Sequence, residues 1–147
     1  GNYTKNRRVM TTTRGVRNCN PANIRKGAQW RGMHPNQNDA SFVRFQCMHY
    51  GIRALIKVLH TYVVKHHLFT IREIINRFAP PSENATSSYI DVVSASIGIS
   101  PDEQLLSITD FKVGYHFDLF CLCKAICFVE SGYRLDEYVF TRALADI

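Results

Sequence analysis

The stretch Phe111-Lys-Val-Gly-Tyr-His-Phe-Asp-Leu-Phe-Cys-Leu-Cys-Lys-Ala-Ile-Cys-Phe-Val-Glu-Ser-Gly132 decides the fold class. Phe117, Leu119, Phe120, Leu122, Ile126, Phe128 and Val129 cover more than one face of a helix, and a helix that is apolar all round is a buried one. The stretch therefore predicts a central buried helix over 111–130, stopping near Gly132. A last helix follows from about Leu135 to Leu144. Upstream, Ser100-Pro-Asp-Glu103 has the form of a helix start, with proline at the first helical position. Before it, Tyr89, Ile90, Val93 and Ile97 mark a helix that begins around Ser82 to Thr86 and is closed by Gly98. Thr70-Ile-Arg-Glu73 is a capping box, in which the threonine oxygen accepts from a free amide and the glutamate reaches back. It opens a helix with the apolar face Ile71, Ile74, Ile75 and Phe78, ended by Pro80-Pro81. Ile52, Leu55, Ile56, Leu59 and Val63 recur at helical spacing from Met48 to near His66-His67, with Arg53 and Lys57 off that stripe.

Residues 14–46 read differently. Gly15, Asn18, Asn20, Pro21, Asn23, Gly27, Gly32, Pro35, Asn36 and Asn38 are turn formers. Ser41–Gln46 alternates weakly and Ala22–Arg25 is apolar enough for a second short strand. The expected architecture is mainly α, of α+β type: a small β or irregular lobe at 14–46 and a central helix at 111–130. Residues 14–147 are expected to form one domain, and 1–13 a flexible basic N-terminal segment.

Composition narrows the class. The chain has 147 residues and a formal charge of +6, and no run of about 18 apolar residues that would span a membrane. Residues Gly1 to Thr13 hold no apolar signal-peptide stretch. Lys5, Arg7, Arg8, Arg14, Arg17, Arg25, Lys26 and Arg31 all precede the first acidic residue, Asp39. Such a basic region suits an anionic polymer: nucleic acid, an acidic lipid surface or bacterial cell wall. Aromatic–basic interleaving, a recognition helix and a zinc module are all missing, which argues against nucleic acid. Cys19, Cys47, Cys121, Cys123 and Cys127 are odd in number and contain no CxxC pair, so neither a disulfide framework nor a zinc site is expected. They read as small core residues of a chain made in a reducing compartment. His34, His49, His60, His66, His67 and His116 lack HExxH spacing, and there is no GxSxG, GxGxxG or phosphate-binding loop. No metal and no cofactor is expected.

Two carboxylates stand out. Glu130 closes the buried helix, where apolar walls and the negative helix end both favour a protonated carboxyl. A glutamic acid protonated near neutral pH is what protonating a glycosidic oxygen requires. The alternative is an exposed carboxylate paired with Arg134. Glu83, in Ala79-Pro-Pro-Ser-Glu-Asn-Ala-Thr86, lies on a loop before a helix and is either a second catalytic carboxylate or a cap complementing the helix dipole.

Arg14-Gly-Val-Arg-Asn-Cys-Asn-Pro-Ala-Asn-Ile-Arg25 resembles the "RGIRNNNPGNIR" opening of a phage and prophage family of virion-associated lytic or structural proteins. The likeness continues through Trp30-Arg-Gly32, Phe42-Val-Arg-Phe45, Gly51-Ile-Arg-Ala-Leu55, Thr70–Ile75, Arg77–Thr86, Tyr89-Ile90 and Gly98–Asp102. Cys19, Ala22 and Phe78 stand where that pattern has Asn, Gly and Trp. A looser likeness is to lysozyme-like glucosaminidases and lytic transglycosylases, with their Glu-Ser-Gly helix end, Asn-rich turn, F-x-x-F stretch and Thr-x-x-Tyr helix. Here Asn18-Cys-Asn-Pro21, Phe42–Phe45 and Thr86-Ser-Ser-Tyr89 come first and Glu130-Ser-Gly132 last, which implies a circularly permuted lysozyme-like domain.

The resemblance implies a peptidoglycan-cleaving hydrolase or lytic transglycosylase, made in the bacterial cytoplasm and acting at the cell wall or in a virion. Glu130 would be the general acid/base and Glu83 a second carboxylate. Asn18, Asn20, Asn23, Trp30 and Tyr89 would line a sugar groove. The alternative is a non-catalytic structural or wall-binding module whose partners are peptidoglycan or other virion proteins.

Overall fold

Periodic apolar residues set the helical frame. A computed structural model describes residues 12–105 and 117–147. Six helices occur among the described residues: α1 (Arg14–Arg17), α2 (Met48–Val64), α3 (Ile71–Phe78), α4 (Thr86–Ile97), α5 (Phe117–Ser131) and α6 (Glu137–Ala145). The fold is mainly helical. Residues 1–11 and 111–116, which carry parts of the expected basic segment and central helix, lie outside the described residues.

The α2 stripe Ile52, Leu55, Ile56, Leu59 and Val63 is buried, together with Ile71, Ile74 and Ile75 of α3 and Ile90 and Val93 of α4. Each such side chain contributes about 1.5–3 kcal/mol by leaving water. On α5, Leu119, Leu122, Cys123, Ile126 and Cys127 are buried, but Phe128 is 47% exposed. The helix is thus buried along most of its circumference rather than all of it. α5 packs on α2 and α4, and α6 lies against α2. Arg53, off the α2 stripe, is nonetheless buried, because its Nε donates to the Asp146 carbonyl at 3.0 Å just beyond α6.

Local end signals act as expected in two helices. The Thr70 side chain accepts from the Glu73 amide at 3.1 Å, and Gly98 closes α4 at φ +74°. Ser100–Glu103 differs from expectation: it forms a turn, not the start of a helix of its own. Its carbonyl and carboxylate serve α3 instead. The Arg72 amide, an orphan donor in the first turn of α3, donates to the Pro101 carbonyl at 3.0 Å, and the Arg72 guanidinium binds Asp102 at 2.7 and 3.1 Å. α6 begins at Glu137 rather than Leu135, with the Asp136 side chain as its cap.

The lobe at 14–46 has no extended strands. The expected pairing is reduced to two isolated antiparallel bridges, Arg25 with Phe42 and Met33 with Phe45. Side-chain amides supply the missing rungs. Asn20, fully buried, donates to the carbonyls of Ile24 (2.9 Å) and Val43 (2.8 Å) and accepts from the Ile24 amide (2.9 Å). Gln37 donates to the carbonyls of His34 and Arg44 and accepts from the Arg44 amide. The turn rests on α2 at Gly51, where a Cβ would lie 2.2 Å from the Cys19 carbonyl oxygen, so only glycine permits this approach.

Candidate functional site

The lobe, α2, the end of α3 and the end of α5 enclose a cavity of about 280 Å³. Ala22–Arg25 and Phe42 form its lobe wall, Val58 and Tyr62 its α2 wall, and Phe78, Ala79, Glu83 and Asn84 a third side. Glu130 enters from the last turn of α5. Its position is fixed by the α5 terminus, which is tied to the lobe: the Thr13 hydroxyl donates to the Ser131 carbonyl at 2.7 Å. The turn holds Glu130 directly. Asn23 Nδ2 donates to the Glu130 carboxylate at 3.1 Å and to its carbonyl at 3.3 Å. Asn23 adopts φ +53°, a left-handed conformation that asparagine tolerates better than most residues.

Tyr89, from α4, is buried, and its hydroxyl lies beside the Glu130 carboxylate. Burial, and then the nearby Glu130 carboxylate, push its pKa well above the usual phenol value. The phenol therefore stays protonated and remains a donor next to that carboxylate. Glu83 is exposed, in a turn whose Glu83 and Asn84 amides both donate to the Pro80 carbonyl at 3.0 and 3.1 Å. It borders the cavity but lacks the enclosure around Glu130.

The structure thus brings together Glu130, Asn23, Tyr89 and Glu83, drawn from four separate segments. It does not bring Asn18, Asn20 or Trp30 to the cavity wall. Asn18 donates to Asp39 at 3.1 Å, and Asn20 spends both amide functions inside the lobe. Trp30 packs against the core with its indole N–H buried. Arg25, Phe42, Tyr62 and Arg77 belong to the cavity's surroundings and had no assigned role in the sequence. The Arg25 guanidinium lies 4.9 Å from the Phe42 ring centroid, and that of Arg77 lies 5.3 Å from the Tyr62 ring centroid. The α2 pair could have been found from spacing: Val58 and Tyr62 form a second i, i+4 row beside the main stripe.

The cysteines divide. Cys123 and Cys127 are core residues, and burial raises both thiols far above their ordinary range. Cys47 is exposed and Cys19 half-buried, which corrects the reading of all five as core. Cys19 also adopts φ +51°, where the resembled pattern has asparagine. Among the described residues no group of three or more His, Cys, Asp or Glu could hold a metal ion. Nor, among them, is any helix long and apolar enough to cross a membrane.

Over 101 residues the chain is 42% identical to Protein P5 of Pseudoalteromonas phage PM2, covering 66% of this chain and 63% of that protein. A phage protein is therefore its homologue, and the chain spans less than two thirds of that relative's length. No protein-family model matches the chain.

Proposed function

We propose that this chain is a phage-type peptidoglycan-cleaving protein, a glycosidase or lytic transglycosylase that uses Glu130 as its general acid/base. The observation that carries the reading is the Glu130 carboxyl at a cavity between the Asn-rich turn and the helices, hydrogen-bonded to Asn23. In this reading the domain is a permuted lysozyme-like one. The Asn-rich turn borders the catalytic glutamate as it does when it follows that helix in sequence. Glu130, as general acid, gives a proton to the glycosidic oxygen as the bond to the anomeric carbon breaks. The resulting carboxylate then takes a proton from the attacking hydroxyl, either of water or of the same sugar. Asn23 fixes the carboxyl's orientation, and the Tyr89 hydroxyl offers the carboxylate a further donor. Glu83 serves as a second carboxylate or as a residue of the groove.

Cys19 favours a second reading, a non-catalytic virion or wall-binding module. It puts a strained left-handed residue into the turn that would border the substrate. Incubation with purified peptidoglycan separates the two. Release of soluble muropeptides is expected, falling about 10²- to 10⁴-fold in Glu130→Gln, which keeps shape but removes the acid. Glu83→Gln tests the second carboxylate. Pull-down with the wall but no soluble fragments from the unmodified chain establishes the module and ends the enzymatic reading.

A further inference from the structure

Cys19 and Cys47 come from different segments and meet where the lobe joins α2. Cys19 lies half-buried in the Asn-rich turn. Cys47 is exposed at the N-cap of α2, and its side chain makes no capping bond. Backbone contacts bracket the pair on both sides. The Phe45 amide donates to the Asn18 carbonyl at 2.7 Å, one residue before Cys19 and two before Cys47. Gly51, about one helical turn past Cys47, takes the Cys19 carbonyl so closely that a Cβ would lie 2.2 Å from its oxygen. Cys19 is thus held against the start of α2, where Cys47 sits. The two sulfurs also sense each other: burial and then Cys47 push the Cys19 thiol above its ordinary pKa, while Arg44 pulls it down. The other three cysteines are on α5, with Cys123 and Cys127 closed to solvent. An odd cysteine count speaks against a disulfide framework, but not against a single bond between two thiols that the fold brings together.

We propose that Cys19 and Cys47 are a disulfide-forming pair, closed by a small-molecule disulfide such as oxidised glutathione, and that the bond staples the Asn-rich turn to the start of α2. The exposed Cys47 attacks first. Its thiolate bonds to one sulfur of oxidised glutathione and releases a glutathione thiolate, leaving a mixed disulfide on Cys47. The Cys19 thiolate then attacks the Cys47 sulfur and expels the second glutathione thiolate. The two protein thiol protons end on the two released glutathiones. The chain gives up two electrons, and one molecule of oxidised glutathione becomes two of reduced. The bond closes a loop over residues 19–47, which takes in nearly the whole lobe. In the chain-entropy account such a bond stabilises by restricting the unfolded chain. It falls beside Asn20, where the lobe relies on single hydrogen bonds.

The test uses the full chain, reduced and then incubated in its folded state with oxidised glutathione. Trypsin puts the two cysteines in separate peptides, Asn18–Arg25 and Phe45–Arg53, each with no other cysteine. Mass spectrometry should find these peptides joined, two hydrogens lighter than the free pair and with no glutathione left on either. Oxidation should raise the urea midpoint, and dithiothreitol should reverse both changes. Cys19→Ser should stop at glutathione on Cys47, and Cys121→Ser should leave the joined pair as it is in the unmodified chain. A chain unfolded in urea before oxidation should spread its bonds over all five cysteines. Glutathione that stays on Cys47 in the folded unmodified chain overturns the proposal. So does bonding of Cys19 or Cys47 to an α5 cysteine instead, an unchanged urea midpoint, or as much of the Cys19–Cys47 bond from the unfolded chain as from the folded one.

Discussion

The lobe at 14–46 and the helical part from Met48 onward are held by different forces. In the helical part, buried Leu, Ile and Val side chains on α2, α3, α4 and α5 share the load, and each contact has many neighbours. In the lobe, few side chains are fully buried, and single amides replace whole ladders: Asn20 joins the turn to Val43, and Gln37 joins His34 to Arg44. Apolar packing degrades by degrees when one side chain is trimmed. A hydrogen-bond hub fails at once, because each partner it leaves behind is a buried polar group without water.

A single polar residue of the lobe should therefore weigh about as much as a large apolar residue of the helical core, and these two give the largest effects. Asn20→Ala abandons the Ile24 amide and the Val43 carbonyl, while the Ile24 carbonyl keeps the Val43 amide as its donor, at about 1–3 kcal/mol for each group left unpaired, so about 2–4 kcal/mol after partial relaxation. Leu55→Ala, at a fully buried α2 position, should cost about 2–5 kcal/mol by the usual cavity penalty. Urea melts compare the totals, and amide hydrogen exchange sharpens the contrast. Asn20→Ala should expose the amides of Ile24 and Val43 while α2 keeps its protection; equal loss in both regions would mean they form one cooperative unit. Thr70→Ala is a local test within the helical part. Removing the acceptor for the Glu73 amide should cost about 1 kcal/mol, with no effect on exchange in the lobe.

The smallest effect belongs to the lobe, and its pH dependence is confined to acid. Asp39 accepts from the amides of Ser41 and Phe42, then from Asn18, and these bonds lower its pKa from the usual carboxylate value to about 2. A depressed folded-state pKa means the charged form is favoured by folding. Its stabilisation is complete above the unfolded value, near 3.8, and fades as pH falls through about 2. Melting temperatures of the unmodified chain and Asp39→Asn should differ near neutrality and converge across that window. A difference that persists at the acid end would assign Asp39 a role other than its charge.

The same division explains what the sequence made legible. Helix faces and ends depend on neighbours a few positions away, so the α2 stripe, the Thr70 capping box and Gly98 could be read directly. Ser100–Asp102 misleads because its capping groups are spent on α3, some 30 positions upstream, and local spacing carries no sign of that. The lobe's strands fail for a related reason: asparagine and glutamine side chains do the pairing that backbone rungs would do, and composition shows only turn formers. At the site, Glu130, Glu83, Asn23 and Tyr89 were all named from the sequence, but their grouping was not readable from spacing. Asn18 and Asn20 look like surface amides on paper and prove to be internal fasteners.

The contact between Asn23 and Glu130 joins positions 107 residues apart, and this sets when the site can exist. A ribosome releases the Asn-rich turn early, and α2, α3 and α4 can fold against one another as they emerge. Throughout that time the cavity lacks Glu130 and the Ser131 carbonyl that accepts from the Thr13 hydroxyl. Only after α5 has left the exit tunnel does the chain close on itself. A nascent or prematurely terminated copy therefore lacks the closed cavity, which exists only in molecules that have released α5.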